Sequence, residues 1–156
     1  MCRFCWLLSA LLAVILAVIV YVFGFLGTTR PADDGRTAIL LTPAERNRVL
    51  AEMRTFLEAV QTIVAATASG DMGTASAAAR RVARVNLDDV PPGLLRKLPA
   101  EVKGLGLDTH RAFDDLARII ENGANREQIF AQLGDILRTC TTCHAGYRFD
   151  IEQRGQ

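Results

Sequence analysis

Two cysteines and a histidine stand close together near the end of the chain, in the run Cys140-Thr141-Thr142-Cys143-His144. Two thiols three positions apart can each form a thioether with a haem vinyl group, and the adjacent imidazole can ligate the iron. The pattern C-x-x-C-H is the attachment signature of a c-type haem. The spacing therefore predicts one covalently bound haem c, with Cys140 and Cys143 as attachment points and His144 as axial iron ligand.

A zinc site and a redox-active dithiol are the alternatives for Cys140 and Cys143. Zinc needs more cysteine or histidine ligands, and His110 is the only other histidine. A redox dithiol normally opens a helix after a strand, and no strand pattern precedes this pair. We therefore favour haem over both alternatives.

A second C-x-x-C pair, Cys2 and Cys5, is followed by Trp6 instead of histidine. This pair has no axial ligand to offer and lies at the extreme N-terminus beside an apolar run. We predict no haem at this pair.

The apolar run covers residues 6–26 without a charged residue. As a helix it would be about 31 Å long at roughly 1.5 Å per residue, which is enough to cross a bilayer. The alternative is a cleaved signal peptide, whose apolar region is only about 7 to 15 residues and ends at small residues. Residues 1–27 are therefore predicted to be an uncleaved membrane anchor that contacts the lipid bilayer.

Charged residues around the anchor predict its orientation. Arg3 and the amino terminus precede it, and the charges of Arg30, Asp33, Asp34 and Arg36 after it cancel. Positive charge stays on the cytoplasmic side of a membrane. The N-terminus is therefore predicted to be cytoplasmic, with the rest of the chain on the other side.

The remaining chain is predicted to form a polar linker, 28–40, and one domain, 41–156. The 156 residues include 18 basic and 17 acidic side chains. This near balance argues against a nucleic-acid-binding protein.

Four helical patterns follow the linker, and no strand pattern accompanies them. Thr42-Pro43 with Glu45 predicts the start of the first helix. The four predicted helices cover 43–68, 72–85, 99–122 and about 125–153, separated by Gly70, Pro91-Pro92 and Gly123. Short connections between amphipathic helices are typical of an up-down-up-down bundle. The predicted fold is all-α, a four-helix bundle preceded by a single N-terminal transmembrane helix.

Three of the helices carry apolar stripes at helical spacing. The first has Leu50, Met53, Leu57, Val60 and Val64; the third has Val102, Leu105, His110, Phe113, Leu116, Ala117 and Ile120; the last has Ile129, Phe130, Leu133, Ile136, Leu137 and Cys140. We expect these residues to face the interior of the bundle.

A haem motif in the last helix, extended over 140–148 as C-x-x-C-H-x-x-Y-R, resembles the class II c-type cytochromes, which comprise the cytochrome c prime family and its low-spin relatives. The resemblance covers 41–149 and is also carried by the segments 52–54, 68–71 and 110–113. It implies haem attachment through Cys140 and Cys143 and iron ligation by His144. It further implies that the domain lies in the bacterial periplasm. The predicted single-pass anchor, which lies outside the resemblance, would tether the domain to the inner membrane.

The family leaves the sixth iron ligand open, because high-spin members have none and low-spin members use a methionine from the first helix. The motif lies about 14 Å from the predicted end of the last helix. Met53 lies about 15 Å from Pro43, so it reaches the same level, whereas Met72 belongs to the opposite end. His110 also reaches this level. Met53 is the predicted sixth ligand, and a vacant site or ligation by His110 are the alternatives.

Two residues after the motif are predicted to bind the cofactor. Arg148 lies four residues beyond His144, so in a helix its guanidinium would lie over the haem edge near a propionate. The alternative is a solvated arginine in the last turn. Tyr147 lies four beyond Cys143 and would pack on the macrocycle or on the first helix.

A basic group on the second helix and after it has two interpretations. Arg80, Arg81, Arg84, Arg96 and Lys97 could contact an acidic redox partner, or they form a solvated surface, which is the commoner situation.

These observations predict a membrane-tethered monohaem cytochrome that transfers electrons to and from redox partner proteins at the membrane surface. The alternative is a five-coordinate haem protein that binds small gases such as NO or CO, and a third hypothesis is a haem-free assembly subunit. No nucleophile lies beside a recognisable base, so we expect no enzymatic activity. A homodimer, which some relatives in the resembled family form, is an alternative to a monomeric bundle.

Overall fold

A computed structural model of the protein describes residues 3–22, 26–84 and 90–152. The predicted Cys2 of the N-terminal pair, residues 23–25 of the predicted anchor, residue 85 of the second predicted helix and residues 153–156 of the predicted domain lie outside these ranges. Along the chain the elements are α1 (Arg3–Tyr21), β1 (Thr29–Pro31), β2 (Thr37–Leu41), α2 (Pro43–Ser69), α3 (Met72–Ala83), α4 (Pro92–Lys97), α5 (Ala100–Glu121), α6 (Arg126–Gly146) and β3 (Tyr147–Ile151).

Capping residues define both ends of helix α2. The hydroxyl of Thr42 accepts a hydrogen bond from the Glu45 backbone N–H at 3.2 Å, and Oε2 of Glu45 accepts from the Thr42 N–H at 2.8 Å. This reciprocal pair satisfies two backbone donors that the first helical turn leaves free. Gly70 ends the helix with a φ of 84°, a left-handed conformation that glycine adopts at little cost.

The four long helices α2, α3, α5 and α6 pack around a shared apolar core. Its most deeply buried side chains include Ala59, Ile63, Phe113, Leu116 and Ile129. Most of the side chains that α3 contributes to this core are alanines. Their small size lets α3 pack close to α2 and α5. The core lies toward the end of the bundle where α2 turns into α3.

Neighbouring helices run in opposite directions. Gly70, at the end of α2, lies near the side chain of Arg126 at the start of α6. At the other end of α6, Tyr147 bonds to Glu101 at the start of α5. The up-and-down order of the helices therefore brings the end of α6 beside the starts of α2 and α5.

A three-stranded sheet covers this second end of the bundle. Strand β2 lies in the middle, antiparallel to β1 and parallel to β3, with Thr37 opposite Tyr147 and Leu41 opposite Ile151. Apolar residues on the sheet form a second small core with α2, α4 and α5, made of Ile39, Leu41, Val49, Leu94 and Val102.

Lys97 ties the short helix α4 to this end of the molecule. Its Nζ lies 2.8 Å from Oε2 of Glu45 and 2.9 Å from Oε2 of Glu152. Thr28 donates its backbone N–H to the Lys97 carbonyl oxygen at 2.8 Å, so the segment before β1 is held here as well.

The predicted all-α class is confirmed in the coarse sense that the described chain is mostly helical, but the small sheet was not predicted. The predicted polar linker, 28–40, contributes β1 and most of β2 and belongs to the folded domain, because Ala38 and Ile39 are buried. The predicted last helix does not continue to residue 153. It ends at Gly146, because the following residues pair with β2.

The N-terminal helix α1 differs from the other helices in its surroundings. Its described side chains, from Trp6 to Tyr21, are all exposed. Within the described ranges, no helix combines the length and apolar character needed to qualify as a membrane span.

Candidate functional site

Helix α6 places Cys140, Cys143 and His144 on one face near its C-terminal end, because residues three and four apart are neighbours on a helix surface. The backbone N–H of Tyr147 bonds to the carbonyl oxygen of Cys143 and closes the last turn. The chain then becomes extended. The three residues of the motif therefore share a rigid support that stops just after His144.

A cavity of about 470 Å³ lies between α2, α5 and α6 against this face. Cys140, Cys143 and His144 line it from α6, and Met53 lines it from α2. Its remaining walls are mostly apolar. The cavity therefore brings together the two predicted attachment cysteines, the predicted axial histidine and the predicted sixth ligand.

Four of the five residues in the predicted apolar stripe of α2 form a wall of this cavity. Val60 also packs against the main core and Met53 against the second core, whereas the fifth residue, Val64, is 42% exposed. Leu50, Met53, Leu57 and Val60 all line it, and the Leu57 side chain is 67% exposed. The buried residues of α2 are a different set: Val49, Ala59, Ile63, Ala66 and Thr67. Large apolar side chains left at an open cavity indicate a binding surface, because a monomeric protein rarely exposes contiguous apolar area without a function.

The last helix divides in the same way. Ile129, Leu133 and Ile136 are buried in the core as predicted. Leu137 is 40% exposed and lines the cavity beside Cys140. The apolar face of α6 therefore extends from the core to the cavity.

A second, polar cavity of about 220 Å³ adjoins the apolar one. The two share Met53 and His144 among their lining residues, and the polar cavity adds the guanidinium groups of Arg36, Arg46 and Arg148. An apolar space beside a cluster of cations suits a ligand with a large apolar body and acidic substituents.

Arg36 and Arg46 are fixed next to the motif by the sheet. Arg36 forms an ion pair with Asp34 at 2.6 Å and donates to the carbonyl oxygen of His144 at 3.3 Å. Arg46 donates its Nε–H to the carbonyl oxygen of Phe149 at 2.9 Å. Because this bond uses only Nε, the two Nη groups of Arg46 stay available to a ligand.

Arg148 does not lie on a helix turn above His144, as the sequence predicted, because it lies in β3 opposite Ala38. Its Nε donates to Asp150 at 2.8 Å and its Nη1 to Asp34 at 3.2 Å. Arg148 lines the polar cavity, but these two carboxylates already neutralise its charge.

Tyr147 also lies in β3 instead of on the predicted helix. Its hydroxyl donates to Oε2 of Glu101 at 2.5 Å. This bond to a carboxylate, with partial burial, raises the pKa of Tyr147 to about 12. Tyr147 lines the polar cavity and joins the end of α6 to the start of α5.

The two cysteines are free thiols and are partly buried. Burial raises the pKa of the Cys140 thiol, and it also raises the pKa of Cys143, with further contributions from the charges of Cys140 and Glu101. Redox-active dithiols work with a lowered thiol pKa. The electrostatic surroundings of this pair therefore differ from those of a thioredoxin-like site.

His110 lies away from the motif and does not line either of these cavities. Its Nδ1 is 2.6 Å from the carbonyl oxygen of Val82, and its Nε2 is 3.3 Å from Oε1 of Glu52. A carbonyl oxygen can only accept, so Nδ1 carries a proton. The structure therefore brings Met53, and not His110, to the motif.

The environment of His110 favours its charged form. Burial alone would lower the pKa of His110, but the hydrogen bonds with Glu52 and with the Val82 carbonyl raise it overall. The bond with His110 lowers the pKa of Glu52. Each of the two side chains therefore stabilises the charged form of the other.

No local pattern marked Arg36 and Arg46 as site residues. Arg36 reaches the motif because it precedes β2, which pairs with β3, and Arg46 reaches it from α2 through its bond to Phe149 in β3. Among the described residues, no group of three or more His, Cys, Asp or Glu side chains is arranged to hold a metal ion.

Comparison with known proteins identified no similar protein. No protein-family model, no curated protein and no solved structure matches this chain.

Proposed function

We propose that the protein is a membrane-tethered, monohaem c-type cytochrome of the class II type that transfers electrons in the periplasm. The observation that carries this proposal is the single apolar cavity whose walls include Cys140, Cys143, His144 and Met53. A C-x-x-C-H motif on a surface without such a cavity would have no place for a macrocycle.

The cavity fits haem in size and in chemistry. Its volume of about 470 Å³ lies within the range of about 300–1,000 Å³ that is usual for cofactor sites. The apolar walls suit the macrocycle, and the adjoining arginine-lined cavity suits its two carboxylates. When bound, haem supplies a one-electron redox couple.

The chain supplies attachment, ligands and charge. The thiols of Cys140 and Cys143 would form the thioethers, and the exposed imidazole of His144 would ligate the iron. As a second ligand, the soft thioether of Met53 on the facing helix would favour ferrous iron and raise the potential. With both ligands on packed helices, little would move when an electron arrives or leaves.

The N-terminal helix supports the tethering part of the proposal. The described side chains of α1 are apolar and exposed, and lipid is the environment that such a surface suits. We place the N-terminus in the cytoplasm and the haem domain in the periplasm of a bacterium, as the charges around the apolar run suggest. Tethering would raise the effective concentration near membrane-bound redox partners.

The decisive experiment is expression of the full chain together with a periplasmic haem-attachment system. We expect a coloured protein that keeps its haem in denaturing gels. The double variant Cys140→Ser/Cys143→Ser should lose all covalent haem, whereas Thr141→Ala/Thr142→Ala, which changes the residues between them, should keep it. A colourless wild-type protein would reject the proposal in favour of a haem-free assembly subunit.

A gas-binding haem protein is the second candidate, and the cavity wall gives it support. Leu50 and Leu57 flank Met53 on the same cavity and could cover a vacant iron face. Absorption spectra with and without CO separate the candidates. In the electron carrier, Met53→Leu converts a low-spin spectrum to high-spin and opens CO binding. Met72→Leu is the matched control, because Met72 packs against the main core.

A further inference from the structure

A third cavity, of about 210 Å³, opens between α2, α3 and α5 on a different side of Phe56 from the motif. Its rim carries three arginines from two helices, namely Arg48, Arg81 and Arg84. Neither the motif cysteines nor Met53 line it. The function proposed above therefore does not use this cavity.

The arginines of α3 differ in whether a carboxylate neutralises them. Arg80 binds Glu121 at 2.6 Å and also forms an ion pair with Asp114. In the part of the chain that the structure describes, no carboxylate forms a salt bridge with Arg81 or Arg84. Within the described residues, Arg81 on α3 and Arg84 just after it therefore have no carboxylate partner, and both line the cavity.

The floor of the cavity adds little negative charge. Glu52 lies there, but its carboxylate contacts Nε2 of His110 at 3.3 Å. The charge of Arg48 also lowers the pKa of Glu52. His110 and Arg48 therefore offset this carboxylate, and the cavity keeps the positive charge of Arg81 and Arg84.

We propose that this cavity, rimmed by Arg48, Arg81 and Arg84, binds a small tetrahedral oxyanion with the chemistry of inorganic phosphate. Guanidinium groups offer paired N–H donors that match phosphate oxygens, and charge-assisted bonds of this kind are among the strongest in proteins. The volume accommodates a phosphate ion together with a few water molecules, each of which takes up about 30 Å³. The floor of Phe56 and His110 limits the ligand to a small one.

Calorimetric titration of the full-length protein with inorganic phosphate tests this site. A titration with chloride at equal ionic strength measures the general salt effect. We expect saturable, one-site binding of phosphate and none of chloride. The double variant Arg81→Gln/Arg84→Gln should bind at least about tenfold more weakly.

Arg111→Gln/Arg138→Gln is the control, because it removes the same charge from exposed arginines outside the cavity. It should bind phosphate as the wild type does. Arg48→Gln provides an independent variant on another helix, with thermal unfolding as a test of folding. The absence of saturable binding to the wild type, or equal weakening by the two double variants, would overturn the proposal.

Discussion

His110 and His144 are the two histidines of the chain, and they lie in contrasting surroundings. His110 is 9% exposed, both ring nitrogens have partners, and its ring lies 4.9 Å from that of Phe56. His144 is exposed at the end of α6, and within the described residues its ring nitrogens make no hydrogen bond. A histidine with satisfied nitrogens stabilises a fold, whereas one with free nitrogens beside a cavity is available to a ligand.

The largest effect that this comparison predicts is the loss of ligation in His144→Ala. Because no other described histidine lines the cavity, the proposed haem protein should lose its axial ligand in this variant, and with it the low-spin spectrum of the reduced state. Absorption spectroscopy measures this change. His110→Asn should keep the wild-type spectrum, and a spectrum changed by His110→Asn but not by His144→Ala would reverse the two roles.

His110→Ala should have the next largest effect, this time on stability. The variant leaves the Val82 carbonyl oxygen unpaired, removes the partner of Glu52 and opens a space beside Phe56. We expect the free energy of unfolding to fall by about 2–4 kcal/mol in urea titrations. Leu107→Ala on the exposed side of α5 should change it by only about 0.5 kcal/mol. Equal losses in the two variants would contradict the structural role of His110.

Phe56 lies between the region around His144 and the region around His110, because it lines both the motif cavity and the arginine-rimmed cavity. Its ring stacks on Phe113 at 5.6 Å and contacts His110. We expect Phe56→Leu to lower the free energy of unfolding by about 1–2 kcal/mol, measured by urea titration. Phe130→Leu, at a 41% exposed position, is the control and should have a smaller effect.

The smallest predicted effect is the pH dependence that the pair of His110 and Glu52 contributes to stability. The raised pKa of His110 stabilises the fold below its unfolded value of 6.5, and this contribution disappears as the pH rises through the folded value. The lowered pKa of Glu52 stabilises the fold above 4.5, and this contribution disappears as the pH falls through the folded value. The pair therefore stabilises most between pH 4.5 and 6.5.

Glu52→Gln tests this dependence. The thermal midpoints of the wild type and the variant should differ most within that window and converge on either side of it. Because Glu52 is 46% exposed, we expect less than about 1 kcal/mol. A difference that does not change with pH would show that the charge of the pair has no role.

Structural features that depend on residues close in sequence could be predicted from the sequence. The Thr42 cap and the Gly70 turn were predicted correctly, because capping acts within a few residues. Helical periodicity located the stripe of α2, but most of the stripe lines an open cavity, whereas we predicted that it faces the bundle interior. The level of Met53 along α2 followed from helix geometry, and the structure brings it to the same cavity as the motif.

The same reasoning failed where distant segments meet. Tyr147 and Arg148 follow a helical pattern without interruption, yet they pair with β2 because that pairing buries Ile39 and Leu41. His110 shared the predicted level of Met53, but only packing against Val82 and Glu52 decides which way its ring faces. Neither outcome has a local signal in the sequence.

The parallel pairing of β2 with β3 also sets an order in time. Thr37 precedes its partner Tyr147 by about 110 residues, so this strand pair can form only after the helices between them have been synthesised. Until then no strand holds the segment that follows His144. If the protein binds haem as proposed, attachment at Cys140 and Cys143 would be easiest before the sheet forms, and pairing of β3 with β2 would then hold the segment after His144 next to Arg36.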